Sequence, residues 1–186
     1  HTLSEKHSIT VSIQDISADG TLLAYGLCEG GEDEIVVQFL QVDTKENFFD
    51  ILPRGRYFGI SITPDHAGVF YTFYNETGSH VRYNRYGTEV SQDMELFGKE
   101  YGPEKIIFAT LSEDGHHLLI HVLYGSSGTQ TDVYYKNIQK ETPIVPLIYH
   151  IPSFFMGTFG EDALFFETNW KAPHKRILTV SLQELD

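Results

Sequence analysis

Apolar residues along this chain come in short runs, many alternating with polar neighbours, and each run is closed by turn-forming residues. A period of two puts alternate side chains on opposite faces of an extended strand, so the pattern predicts strands. The period of an amphipathic helix is hard to find. The runs also recur as a unit: a strand, a Ser/Thr-x-Asp turn, an apolar strand, a polar loop and a third strand.

The first copy is Ile9–Ile16, the turn Ser17-Ala18-Asp19-Gly20, then Leu22–Cys28 and Ile35–Val42. The second is Gly59–Thr63, the turn Thr63-Pro64-Asp65-His66, then Val69–Phe73 and His80–Tyr86. The third is Ile106–Leu111, the turn Ser112-Glu113-Asp114-Gly115, then Leu118–Leu123 and Val133–Ile138. The fourth is Phe154–Thr158, a weaker turn at Gly160-Glu161-Asp162, then Leu164–Glu167 and Arg176–Leu182. Between copies, Phe48–Leu52, Met94–Phe97 and Ile144–Tyr149 supply candidate fourth strands.

The second strands align on Leu23, Phe70, Leu119 and Phe165, which lie 47, 49 and 46 residues apart. Four antiparallel strands at this interval match the blade of a β-propeller. A sandwich or an open barrel would show turn signals without such self-similarity. The turns have a physical reason: a tight hairpin needs a residue tolerant of positive φ, and Asp also bonds its own backbone. The expected fold is therefore all-β, a β-propeller of about four four-stranded blades, over residues 9–52, 57–98, 105–149 and 152–186. The fourth copy lacks an outer strand, and the polar segment His1–His7 is a poor candidate to supply it. The expectation is part of a larger ring, whose open blade edges invite self-association.

Composition narrows the partners. The formal net charge is −13, which repels a phosphate backbone and an anionic membrane surface, so neither is an expected partner. The densest acidic run, Glu32-Asp33-Glu34, reads as a solvated loop tip. No stretch approaches the length of apolar chain that spans a membrane. The first ten residues lack a signal peptide's hydrophobic region, and a cytoplasmic location is expected. Cys28 is the lone cysteine and cannot form an intrachain disulfide; its apolar run reads it as an inert core thiol. Asn75-Glu76-Thr77 matches a glycosylation acceptor, which matters only in a secreted protein.

The chain lacks the Gly-x-Ser-x-Gly nucleophile elbow, and Gly125-Ser126-Ser127-Gly128 has the wrong spacing. It has no P-loop, EF-hand, Cys-x-x-Cys or His-Glu-x-x-His motif. One stretch does gather ligand-type residues: the cluster His116, His117 and His121 in LSEDGHHLLIH, residues 111 to 121. On a strand, His117 and His121 share a face but lie roughly 13 Å apart. Ligands about 2 Å from one metal ion cannot span that distance. They read as turn and strand-surface residues. No catalytic residue, metal site or cofactor is expected.

These segments resemble the propeller domain of the prolyl oligopeptidase family of serine peptidases. The residues that carry the resemblance are Leu3-Ser4 before Ile9, Ser17–Gly20 with Leu23-Ala24-Tyr25, and Tyr83 with Gly87-Thr88 and Asp93. Ser112–Gly115 with Leu118-Leu119-Ile120 adds to it, and Thr168-Asn169 with Ala172-Pro173 and Arg176 is the most specific piece. The similarity runs along essentially the whole chain and covers the front of a seven-bladed propeller. It implies an accessory domain that caps a catalytic α/β-hydrolase domain, gating and size-selecting short proline-containing peptides. It implies that the parent protein is a serine endopeptidase, while this chain alone is not. It also implies a substrate-facing aromatic at Tyr57. The family's arginine after the third unit's second strand has no counterpart in Leu123-Tyr124-Gly125-Ser126-Ser127.

Two other readings compete. A stand-alone propeller acting as a binding or scaffold module predicts a closed ring and a stable monomer. A propeller hydrolase with a central metal needs acidic and amide residues on several inner strands, where this chain offers mostly Ile, Ser, Phe and Thr.

Overall fold

The computed structural model describes residues 8–125 and 129–185, apart from the side chains of residues 49 and 50. Leu3-Ser4 and the segment 126–128 lie outside the described residues. The first blade is formed by β1 (Ile9–Ile16), β2 (Leu22–Glu29), β3 (Ile35–Gln41) and the start of β4 (Glu46–Ile62). The second uses the rest of β4 with β5 (Gly68–Asn75), β6 (Gly78–Arg85) and β7 (Met94–Phe97). The third contains β8 (Lys105–Leu111), β9 (His117–Tyr124), β10 (Thr131–Asn137) and β11 (Val145–Ile148). The fourth contains β12 (Phe155–Phe159), β13 (Ala163–Thr168) and β14 (Arg176–Ser181). Within each blade neighbouring strands pair antiparallel in chain order, as an all-β propeller requires.

The pattern separated Phe48–Leu52 from Gly59–Thr63, but β4 runs through both without a break. Its first part pairs with β3 and its second with β5, so β1 to β7 form one seven-stranded sheet. Pro53 does not end the strand because it falls in the register shift between Leu52 and Gly55, where no ladder N–H is needed. Gly55 is required for packing: a Cβ there would lie 2.1 Å from the Phe73 ring.

Strand alternation sends side chains into seams between blades. On β5, Val69 and Tyr71 pack with Leu22, Ala24, Val37 and Phe39 of the first blade. Phe70 points the other way and packs with Ile107, Leu118 and Ile120 of the third. On β9, Leu119 turns toward Phe155 and Leu164 of the fourth. Full burial of one such side chain stabilises by about 1.5–3 kcal/mol, so each seam is a core of its own. The outward faces of the first and fourth blades are both uncovered: Val11 and Ile13 are 54% and 66% exposed, Phe165 and Ile177 40% and 61%.

The repeated turn has one hydrogen-bond design. Ser17 Oγ donates to Asp19 Oδ1 at 2.7 Å and accepts the Leu22 N–H at 2.9 Å. Ser112 repeats this with Asp114 and the His117 N–H. Thr63 Oγ1 accepts the Gly68 N–H, and Asp65 accepts the Ala67 N–H. Gly20 and Gly115 take positive φ, and His66 takes the same left-handed conformation in the second copy. The Ser17 hydroxyl and the Thr21 N–H hold the Asp19 carboxyl below the usual range, and Thr63 and Ala67 do the same for Asp65. The Glu32-Asp33-Glu34 tip is solvated as expected, with exposed ion pairs from Glu32 and Glu34 to Arg54 and from Asp33 to Arg56.

Candidate functional site

The first strands of the first three blades lie side by side and border an open cavity of about 520 Å³. Two features bring β1, β4 and β8 together. Gly59 sits so near β8 that a Cβ would lie 2.9 Å from the Ala109 carbonyl oxygen. Asp15, at a bulge in β1, accepts the Ile62 N–H with Oδ2 at 2.7 Å. Burial pushes the Asp15 carboxyl up, and the N–H groups of Ile62 and Ile16 offset part of that rise. The wall is mixed: Gln14, Phe58, Ser61, Phe108 and Thr110 face the space, with Glu113 at its rim. Phe58 is 39% exposed, and its ring meets Tyr74 edge-on at 5.8 Å. The lining has two carboxylates, Asp15 and Glu113, and no imidazole or thiol. This arrangement can receive and hydrogen-bond an extended chain; among the described residues its lining brings together no hydroxyl–imidazole–carboxylate set.

The register of β4 shifts between Tyr57 and Gly59, and the ring partners show that Tyr57 and Phe58 take opposite faces: Phe58 meets Tyr74, Tyr57 the alternating pair Tyr71 and Phe73. The Tyr57 ring packs against Tyr71 and Phe73 at 5.9 and 5.6 Å, and its hydroxyl donates to the Pro53 carbonyl. Burial, with Tyr71 and Asp93 nearby, pushes its phenol well above the ordinary range. Behind it, Tyr71 donates to Asp93 Oδ2, and Asn84 Nδ2 donates to Asp93 Oδ1 at 2.6 Å.

The histidine cluster is divided. His116 stays at the surface, its Nδ1 3.3 Å from Asp114 Oδ2. His117 and His121 are buried, contrary to their expected surface positions, because their face of β9 is covered by the fourth blade. His117 Nδ1 bonds the Tyr135 hydroxyl at 2.7 Å. His121 Nε2 accepts the Gly157 N–H of β12 at 2.9 Å, and its ring stacks on Phe108 at 4.7 Å. Burial pulls its pKa down to about 4. Among the described residues, no three His, Cys, Asp or Glu side chains converge as a metal site.

Cys28 is also displaced from its expected core position. It is half-buried at the end of β2, outside the apolar clusters, and its thiol donates to the Glu32 carbonyl at 2.9 Å. The apolar run that precedes it alternates faces, which a continuous stretch of letters conceals. Asp15 is absent from the sequence expectations, and His121 enters them only as a strand-surface residue. For Asp15 a signal existed: its counterparts in the repeat are Ser61 and Thr110, so a carboxylate there breaks the pattern.

Comparison with known proteins fits this architecture. The family described as prolyl oligopeptidase, N-terminal beta-propeller domain, matches residues 1–186. The prolyl endopeptidase of Elizabethkingia meningoseptica is 28% identical over 192 residues, covering 97% of this chain and 27% of that protein. That of Elizabethkingia miricola is 28% identical over 193 residues, with the same coverage. The chain thus spans about a quarter of the length of these relatives. Among solved structures, one from a structural and mechanistic analysis of two prolyl endopeptidases has a TM-score of 0.87 at 24% identity, covering 97% of this chain and 28% of that one. Prolyl oligopeptidase B from Galerina marginata, bound to a 25mer macrocyclization substrate, has a TM-score of 0.81 at 17% identity, covering 98% of this chain and 29% of that one. At these identities the structures speak for the fold, and the match along residues 1–186 speaks for the family: the chain belongs to the N-terminal β-propeller domain of the prolyl oligopeptidase family.

Proposed function

We propose that this chain is the front of a propeller that caps the catalytic α/β-hydrolase domain of a serine endopeptidase. There it admits short proline-containing peptides and keeps folded proteins out. The observation that carries this reading is the inner-strand cavity, which has room for a ligand between Phe58, Phe108 and the polar side chains of Gln14, Ser61 and Thr110. A cavity of about 520 Å³ falls in the range that takes a small ligand or a few residues of extended chain. A folded domain of one hundred residues, with a radius of gyration of about 13 Å, cannot enter. Steric exclusion is thus the mechanism, with bond cleavage left to the catalytic domain.

The exposed apolar residues Val11 and Ile13 favour further blades beside the first over a closed stand-alone module. The same exposed faces give self-association a route when neighbouring blades are missing. A peptide contact by Tyr57 belongs to this proposal. Phe58 is the aromatic on the cavity side of the same strand, and the two are separable by substitution.

Size selection is measured in the full-length peptidase. A short proline-containing peptide should be cut, and the same sequence held inside a folded protein should resist. Equal kcat/KM for both would overturn the proposal. In the same enzyme, Phe58→Ala should raise KM for the short peptide about threefold or more while kcat holds, as loss of ground-state binding predicts.

A further inference from the structure

A second groove, of about 580 Å³, opens between the second and third blades on the face that carries the Asp-containing turns. Its floor is apolar, built from Phe70, Tyr83, Leu96 and Ile138, and Met94 lies over it 56% exposed. Its rim is acidic, with the carboxylates of Asp65, Asp114 and Glu141. The turn hydrogen bonds keep two of these ionised: Thr63 and Ala67 hold Asp65 below the usual range. For Asp114, partial burial acts upward and is outweighed by the bonds from Ser112 and the His116 N–H. The opposing groups are fewer. Lys136 directs its ammonium to the Thr142 carbonyl, and His116 sits 3.3 Å from Asp114.

The groove adjoins the axial cavity, because Pro64 lines both. The two turns meet there so tightly that a Cβ on Gly115 would lie 2.7 Å from Pro64 Cδ. A chain lying at the axial opening therefore passes beside an apolar pocket with a negative rim. This combination of an apolar floor and a few convergent charges is the usual form of a binding site.

We propose that this groove is a docking site for a peptide in which an apolar side chain neighbours Lys or Arg: the apolar group enters among Phe70, Leu96 and Ile138, and the cation meets Asp65, Asp114 and Glu141. The choice of a peptide rests on the proposed function above; the charge and shape requirements rest on the groove itself. Binding should weaken as salt screens the rim.

The test uses fluorescence anisotropy with labelled Ala-Phe-Lys-Lys-Ala and Ala-Phe-Glu-Glu-Ala. The basic peptide should bind saturably, and the acidic one at least about tenfold more weakly. Met94→Arg and Glu141→Lys, both at exposed positions, should each weaken the basic peptide about tenfold while thermal unfolding stays as in the parent. Equal binding of the two peptides, or parent-like binding by both variants, would overturn the site. Competition by tyramine at the affinity of the peptide would overturn the peptide assignment. No cleavage is read in this experiment, so its failure leaves size selection standing, and failed size selection leaves it standing.

Discussion

Between the first and second blades a carboxylate, Asp15, accepts the Ile62 N–H at 2.7 Å. Between the third and fourth an imidazole, His121, accepts the Gly157 N–H at 2.9 Å. Both side chains satisfy a backbone donor of the next blade's first strand, a group that would otherwise be left unpaired in a seam. The first seam also has the continuous strand β4 running through it, so its blades stay joined along a backbone. The other has no shared strand among the described residues and is held by packing, by His121 and by the Thr131 N–H, which donates to the Ser153 carbonyl at 3.1 Å.

The two ties differ in their response to pH. Burial raises the Asp15 carboxyl above its ordinary 3.8, so its contribution is fullest below about that pH and declines as Asp15 ionises. Burial lowers His121 from 6.5 to about 4, so the unfolded chain takes up its proton first. Its contribution is complete above pH 6.5 and is lost as pH falls toward 4. One seam therefore resists mild acid and the other does not.

The largest expected effect comes from the seam without a shared strand. His121→Ala removes the acceptor for Gly157 and opens a void beside Phe108, which should lower unfolding free energy by about 3–4 kcal/mol in urea denaturation. Next is the pH response: between pH 6.5 and pH 4 His121 should contribute a loss of roughly 3 kcal/mol. His121→Gln, which accepts a hydrogen bond without titrating, should flatten the curve by that amount, and an unchanged curve would assign the acid sensitivity elsewhere. Asp15→Ala should cost about 1–3 kcal/mol by orphaning the Ile62 N–H. Asp15→Asn keeps an acceptor and should cost less, so equal losses in the two would remove the hydrogen bond from the explanation. The smallest effect belongs to the exposed pair Arg56–Asp33, where Arg56→Ala should change stability by less than about 1 kcal/mol.

The blades were legible in the sequence because strand alternation and turn chemistry are local. Ser17–Gly20, Thr63–His66 and Ser112–Gly115 form the same hydrogen-bonded turn wherever they occur. What lay hidden depends on which blade covers which face. His117 and His121 read as surface residues in the sequence, and β12 and β13 cover their face of β9. Phe58 and Tyr57 differ by one position, and only the ring geometry shows which faces the axis. The unbroken β4 was masked by Pro53, whose missing N–H falls where the ladder shifts.

Incubating this chain alone with a short fluorogenic proline-containing peptide tests the separation of enclosure from cleavage most directly. No fluorophore should be released at any pH, while a full-length prolyl endopeptidase releases it under the same conditions. Release by the purified chain, abolished by a substitution within it, would contradict a role confined to admitting peptides.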